Sequence, residues 1–172
     1  MLVLAAASAS CVTAQSKDSP ARVQIPALQG ATFAGTPVNL PAALQGRIGI
    51  LVIGFSRSSQ ESARAWGQRL DQRYPAGSSV VYYEMPVLAG VPALLRGWVS
   101  SRIRQSIAAP ARDHFLPVLD HEAEWKQAAG SISIDNSSVL VVDAHGAIRW
   151  RCQGTPNDAA FAELEHQVAL LQ

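Results

Sequence analysis

The two cysteines are the first residues of this chain whose chemistry matters. Cys152 follows Cys11 by 141 positions, and the sequence contains no other cysteine. A pair this small and this far apart predicts neither a disulfide framework nor a cysteine-rich zinc site. A lone cysteine in a strand is usually a small buried apolar residue, whereas a catalytic thiol needs exposure and a lowered pKa. Cys152 is therefore a candidate nucleophile only if it is exposed.

A loop rich in serine is the second feature that could support chemistry, and it contains Ser56, Arg57, Ser58 and Ser59. A serine nucleophile needs a base and an orienting acid, and no Gly-x-Ser-x-Gly turn occurs here. Ser58 and Glu61 have capping-box spacing, which predicts that Ser58 caps a helix. Arg57 and the free amides of that helix could hold an anion. The simpler interpretation of Arg57 is a solvated surface arginine, and the loop is a candidate partner-binding or anion-binding surface.

Possible metal-binding side chains gather near the middle of the chain: His114, Asp120, His121, Glu122 and Glu124. Their spacing matches no closed zinc site. A charged helix start explains them better, with Asp120 as the cap of a helix over residues 121–129 that Gly130 ends. We expect no metal and no cofactor.

The composition is that of a globular domain. Hydrophobic residues form 48% of the 172 residues, which is enough for one core. The formal net charge of +1 lacks the basic excess of a nucleic-acid binder. No apolar run reaches the ~20 residues of a membrane span.

Apolar patterning predicts the elements that position the serine loop. Residues 48–55 form a near-continuous apolar run, typical of a strand buried on both faces. The following helix places Trp66 and Leu70 on one face, and residues 79–84 form a second strand. This is a right-handed βαβ unit. Residues 31–40 before it favour an edge hairpin that turns at Gly35 and Thr36.

The second half of the chain predicts a further hairpin and a final helix. Residues 139–142 and 147–152 flank a turn at residues 143–146. Thr155 and Pro156 open the last helix, and residues 115–119 favour a short strand. The order is β-α-β, inserted helices, then β-β-α. This order predicts an α/β thioredoxin-like fold, with a central mixed sheet flanked by helices.

Two positions that define redox thioredoxins are occupied differently here. Such proteins carry Cys-x-x-Cys at the helix start, where the helix terminus lowers the pKa of the attacking thiol. The loop over residues 55–60 has no cysteine, and residues 135–139 lack the proline found before the hairpin strand. Serine hydroxyls cannot exchange disulfides. The sequence therefore favours a protein without redox activity at this loop.

Several short segments resemble the mitochondrial ATP-synthase assembly factors with a thioredoxin-like fold, and related bacterial proteins of unassigned activity. They are residues 54–57, 83–87, 136–143 and 147–150, and the resemblance extends over residues 40–171. It implies a fold without the redox motif and an assembly or chaperone role for a membrane complex.

A second candidate surface is the helix predicted over residues 91–107. Its apolar residues form one stripe, and its arginines lie mostly beside that stripe: Arg96, Arg102 and Arg104. Such a helix suits a membrane surface or a partner groove. The alternative, which we favour, is a helix that packs on its own core with solvated arginines. Trp98 is then a core residue or, in the first interpretation, an interface anchor.

The amino terminus favours export. Residues 1–14 are apolar and small, and they resemble a secretory signal without its basic start. Lipid attachment at Cys11 is an alternative. Residues 15–30 are predicted to be a flexible linker, and residues 31–172 the domain. We expect a periplasmic protein, or one associated with the outer side of a membrane.

These observations predict a non-catalytic thioredoxin-like protein that binds another protein. The partner would belong to a membrane complex, and no nucleic acid or transmembrane span is expected. Two alternatives remain open. One is a thiol enzyme using Cys152, and the other is anion or small-ligand binding at Arg57.

Overall fold

The fold is built on a five-stranded mixed sheet. The computed structural model describes residues 12–13, 23–44, 46–75 and 77–172. The strands of the main sheet are β1 (Val12–Thr13), β4 (Ile48–Gly54), β5 (Val80–Pro86), β6 (Ser138–Val142) and β7 (Ile148–Gln153). Their order across the sheet is β1-β7-β6-β4-β5. Only β4 and β5 run parallel, because α1 (Gln60–Arg73) connects them as the predicted crossover.

A separate two-stranded sheet lies beside this one. Strands β2 (Leu28–Ala31) and β3 (Pro37–Leu40) pair antiparallel, as the predicted hairpin requires. Gly35 in the connecting turn has a φ of +98°, a conformation that glycine adopts without steric cost. The predicted linker over residues 15–30 is wrong at its carboxyl end, because Ile25 and Leu28 are buried in the core.

Three further helices complete the described part of the chain: α2 (Ala93–Ser106), α3 (Glu122–Ala129) and α4 (Asp158–Ala169). Short 3₁₀ turns occupy Ala42–Leu44 and Ala109–His114. The strand predicted over residues 115–119 is reduced to isolated parallel bridges of Phe115 with Glu84 and of Val118 with Val87.

Side chains of alternating direction divide the core between the two faces of the sheet. Leu51 and Ile53 pack on one face with Trp125 of α3. Ile50 and Val52 pack on the other face with Trp66 of α1. This double burial explains the near-continuous apolar run of β4.

Three predicted helix caps are wrong by one or two residues. α1 begins after Ser59 rather than Ser58, and α3 begins after His121 rather than Asp120. α4 begins after Asn157, whose Oδ1 accepts a hydrogen bond from the Ala160 amide at 2.8 Å. Asn157 therefore takes the role predicted for Thr155, because its side chain can satisfy an otherwise unpaired amide of the first turn.

Candidate functional site

The serine loop forms a closed turn between β4 and α1. Ser59 Oγ donates to the Ser56 carbonyl at 2.7 Å, and the Ser59 amide donates to Ser56 Oγ at 3.3 Å. Ser56 is half-buried and Ser59 is fully buried, whereas Arg57 and Ser58 between them are exposed. Ser58 is therefore not the cap that its spacing predicts, because it projects into solvent and the helix starts after Ser59. The two inward serines stand three residues apart, the spacing of a Cys-x-x-Cys pair.

A chain of hydrogen bonds ties this turn to the segment before β6. Ser62 Oγ donates to the Ser59 carbonyl at 3.0 Å and accepts from the Ser137 amide at 2.8 Å. Ser56 Oγ donates to the Ile134 carbonyl at 2.8 Å. The turn and residues 131–137 therefore form one surface, although 75 positions separate Ser62 from Ser137 in the sequence.

Gln153 of β7 forms hydrogen bonds with the same segment. Gln153 Oε1 accepts from the Ile132 amide at 3.1 Å and from the Ser133 amide at 3.3 Å. Its Nε2 donates to Ser131 Oγ at 3.1 Å. These bonds hold the backbone of residues 131–133 in place, so the side chains that point outward from this segment lie on a well-anchored loop.

Two large apolar side chains are exposed on this segment. Ile132 is 79% exposed and Ile134 is 49% exposed. Sequence analysis did not single them out, and the signal was the alternation of isoleucine with serine over residues 131–134. Exposed apolar side chains beside backbone polar groups are suited to holding an extended polypeptide.

The serines lack the partners that activate a nucleophile. Across residues 46–75 and 77–172, no histidine or carboxylate forms a hydrogen bond with Ser56, Ser58 or Ser59. The Ser56 hydroxyl donates its hydrogen bond to the carbonyl of Ile134. A serine without a base is a poor nucleophile at neutral pH. Arg57 forms no ion pair with any described residue, so its guanidinium is available to an anion or a partner.

Cys152 is a buried strand residue, as its sequence position predicts, but its disulfide was not anticipated. It is 2% exposed in β7 and is disulfide-bonded. Cys11, the only other cysteine in the sequence, lies outside the described residues. The sequence argument excluded a framework of several disulfides and did not anticipate this single bond. A buried disulfide sulfur is shielded from attack by thiolates.

The acidic and histidine residues around α3 pair with their neighbours. His121 Nδ1 lies 2.8 Å from Glu124 Oε1, and Lys126 Nζ lies 2.6 Å from Glu122 Oε1. Within the described residues, no group of three or more histidine, cysteine or acidic side chains is placed to bind a metal.

The second candidate surface differs from the favoured prediction. No residue of α2 is buried, and Leu94 and Trp98 are 97% and 65% exposed. The apolar residues do not form one core-facing stripe, because only Val99 and Ile103 turn toward the domain and both remain half-buried. Trp98 is therefore a surface residue.

The arginines of α2 have three different environments. Arg96 is a structural residue, whose Nε and Nη2 donate to the carbonyls of Val91 and Ala89 at 2.8 and 2.9 Å. Arg102 stacks on the indole of Trp98 at 5.8 Å. Arg104 is exposed beside a depression of about 320 Å³ that separates α2 from the turn between β2 and β3. Of the three predicted binding arginines of α2, Arg102 and Arg104 are exposed, whereas Arg96 is half-buried and bonded to the backbone.

The comparisons with known proteins agree with this architecture. No protein-family model and no curated protein sequence matches the chain. Among solved structures, the thioredoxin domain of a thiol-disulfide oxidoreductase from Bacteroides vulgatus matches with a TM-score of 0.57 and 14% identity, over 88% of this chain and 99% of that one. An exposed lipoprotein thioredoxin from Streptococcus pneumoniae matches with a TM-score of 0.61 and 11% identity, over 83% and 99%.

BsSco, a member of the Sco family of cytochrome c oxidase assembly proteins, also matches, with a TM-score of 0.58 and 13% identity over 91% of this chain and 99% of that one. The resemblance to ATP-synthase assembly factors is not supported by these matches and stays a prediction. None of the described helices is long and apolar enough to cross a bilayer. At these identities the likeness concerns the fold alone, and the chain has the thioredoxin-like fold that the order of its elements predicts.

Proposed function

We propose that this protein binds an extended polypeptide at the surface formed by the serine turn and residues 131–137. The observation that carries the proposal is the closed turn between Ser56 and Ser59 beside the exposed Ile132 and Ile134. The turn exposes the Ser58 hydroxyl, the isoleucines offer apolar contacts, and Arg57 offers a positive charge. These three contributions suit a polypeptide better than a small ligand.

The proposed role is assembly or chaperone-like and involves no thiol chemistry at the turn. Serine at both positions removes thiol-disulfide exchange from this loop. BsSco, a structural match, is named as an assembly protein for a membrane enzyme. That name supports the proposal of a partner from a membrane complex by analogy, because a fold does not determine function.

Export belongs to the same proposal. Disulfides persist in oxidising compartments such as the periplasm and the cell surface, and Cys152 is disulfide-bonded. The match to an exposed lipoprotein thioredoxin agrees with this location. We therefore propose that the protein works in the periplasm or on the outer side of a membrane.

Site-specific photocrosslinking in the native host tests the proposal. A benzophenone amino acid replaces Ile132 in one variant and the exposed Leu170, which follows α4, in a matched control. We expect the Ile132 variant to form a discrete protein adduct that the control does not form. The adduct should persist in reductant and disappear when excess unlabelled wild-type protein is added. Absence of an adduct, or the same adducts at both positions, would contradict polypeptide binding at this surface.

A second candidate is thiol-disulfide chemistry at Cys152. Two observations favour it: Cys152 is disulfide-bonded, and a structural match is named as a thiol-disulfide oxidoreductase. Burial of Cys152 in the core around Trp150 opposes it, because exchange requires access for an attacking thiolate.

The reduction rate of the native protein distinguishes the two candidates. The folded protein is incubated with reduced glutathione, and new thiols are alkylated and identified by mass spectrometry. Reduction within seconds without denaturant would favour redox work at Cys152. Reduction that requires urea would assign the disulfide a structural role.

A further inference from the structure

The outward face of α2 is apolar at its amino-terminal end. Leu94 and Trp98 are four residues apart, and Leu95 lies three residues before Trp98, so all three side chains project from one side of the helix. The same side continues to Arg102. Large apolar side chains gathered in this way are unusual on a soluble monomer and mark an interaction site.

The charged residues in the stretch of chain that contains α2 all have one sign. Between Glu84 and Asp113 the sequence contains four arginines and no acidic residue. Arg96 and Arg112 donate to backbone carbonyls, so the accessible charge is that of Arg102 and Arg104. Acidic residues of neighbouring segments already have partners. Asp120 lies 3.8 Å from Arg96, and Asp113 accepts hydrogen bonds from Thr32 and Thr36. Glu122, which lies close to Gly90, pairs with Lys126 at 2.6 Å.

We propose that α2 docks this protein onto an anionic lipid surface. Leucine and tryptophan side chains enter the boundary between headgroups and acyl chains, while arginines at the margin contact lipid phosphates. Stacking holds the Arg102 guanidinium beside the Trp98 ring, so the charge would lie at headgroup depth when the indole inserts.

A membrane fits this surface better than a helical partner groove. A helix that enters a groove needs apolar anchors repeated over several turns, but here the outward apolar residues are confined to Leu94, Leu95 and Trp98. The last two turns of α2 present Ser101, Arg102, Arg104 and Gln105, which suits phosphate headgroups. This inference does not depend on polypeptide binding at the serine turn.

Vesicle binding tests the proposal directly. The protein is titrated with vesicles of pure phosphatidylcholine and with vesicles containing 30% phosphatidylglycerol, and bound protein is measured by cosedimentation. Tryptophan fluorescence gives a second measurement, because Trp66, Trp125 and Trp150 are buried and Trp98 alone is exposed. We expect binding only to the anionic vesicles, with a blue shift that Trp98→Phe removes and that 0.5 M salt weakens.

Matched variants distinguish the contribution of α2 to vesicle binding from the contribution of the protein's net charge. Arg102→Gln/Arg104→Gln should weaken vesicle binding about 25-fold, since each arginine near an anionic surface contributes about fivefold. Arg64→Gln/Arg73→Gln removes the same charge from the exposed surface of α1 and should bind as the wild type does. Leu94→Ser/Leu95→Ser should abolish the blue shift while circular dichroism stays unchanged, because both side chains face solvent.

Three results would overturn the proposal. They are no binding to the anionic vesicles at low salt, equal binding to both vesicle types, or equal loss in the two arginine pairs. If the vesicles fail and an acidic protein binds through Trp98 instead, α2 is a protein interface and the lipid assignment is wrong.

Discussion

Glu84 gives the sharpest quantitative test of the packing around α1. Its carboxylate lies against Gly67 of α1, where an added Cβ would stand 2.6 Å from Glu84 Cδ. Burial raises the pKa of Glu84 to about 8, Arg64 opposes this rise and Asp71 adds to it. The side chain forms no hydrogen bond with a described residue, so ionisation leaves a poorly solvated charge under the helix.

The direction of the pH effect follows from this raised pKa. Between the ordinary value of 4.5 and about 8, the folded protein keeps a proton that the unfolded chain releases. The free energy of unfolding therefore falls as pH rises through this window, by up to about 1.4 kcal/mol per pH unit. Glu84→Gln removes the ionisation, so the variant should be more stable than the wild type by about 3 kcal/mol at pH 7.

Urea denaturation followed by circular dichroism from pH 5 to pH 9 measures this difference. The stability gap between Glu84→Gln and the wild type should be small at pH 5, grow with pH and become constant above pH 8. The control is Glu61→Gln, an exposed residue of the first turn of α1, which should change stability by less than about 0.5 kcal/mol. A gap that does not vary with pH, or a variant that is destabilised at pH 7, would refute the reasoning.

Four further substitutions test other contacts, each by urea denaturation unless stated. Gly67→Ala should destabilise the wild type by about 1–2 kcal/mol, because the new methyl displaces Glu84, and should become stabilising in a Glu84→Ala background. Asp143→Ala should cost about 2 kcal/mol, because the carboxylate accepts from the His145 and Ala147 amides at 2.9 Å and from Arg149. Although desolvation opposes it, these bonds lower the pKa of Asp143, so the loss should shrink as pH falls below its ordinary pKa. Asn157→Ala should cost about 1 kcal/mol through loss of the α4 cap. Ser56→Cys/Ser59→Cys should form a new disulfide in air, detected by peptide mass spectrometry, and a persistently reduced pair would show that the turn lacks the required geometry.

The elements that pack against each other were predictable from the sequence. Burial imposes a regular spacing on apolar residues. That spacing is visible in the apolar run of β4, in the apolar stripe of α1 and in the hairpin of β6 and β7. Their order identified the fold, because few topologies accommodate β-α-β followed by β-β-α. The starts of α1, α3 and α4 were misplaced by one or two residues. Only α4 has a side-chain cap, at Asn157, whereas the starts of α1 and α3 follow the path of the backbone, which residue types alone do not fix.

α2 shows why periodicity alone misassigns a surface. Its sequence contains enough apolar residues to predict burial of one face, and the structure exposes three of them. Periodicity reports which residues share a face, and it does not report what lies opposite that face. The depression beside Gly97 and Arg104 lies between α2 and the turn that joins β2 to β3, so this part of the helix has little to pack on.

The serine turn was only half predictable for a related reason. The sequence shows the absence of cysteine, but the contact with residues 131–137 depends on the register between β4 and β6, which pairs Ile53 with Ser138. That register brings Ser137 within reach of Ser62 and Ile134 within reach of Ser56. Hydroxyl groups thus hold the turn closed where a disulfide is absent. The turn thus keeps a closed shape without the cysteines that thiol-disulfide exchange requires. This is why we propose that the site binds a partner and does not exchange disulfides.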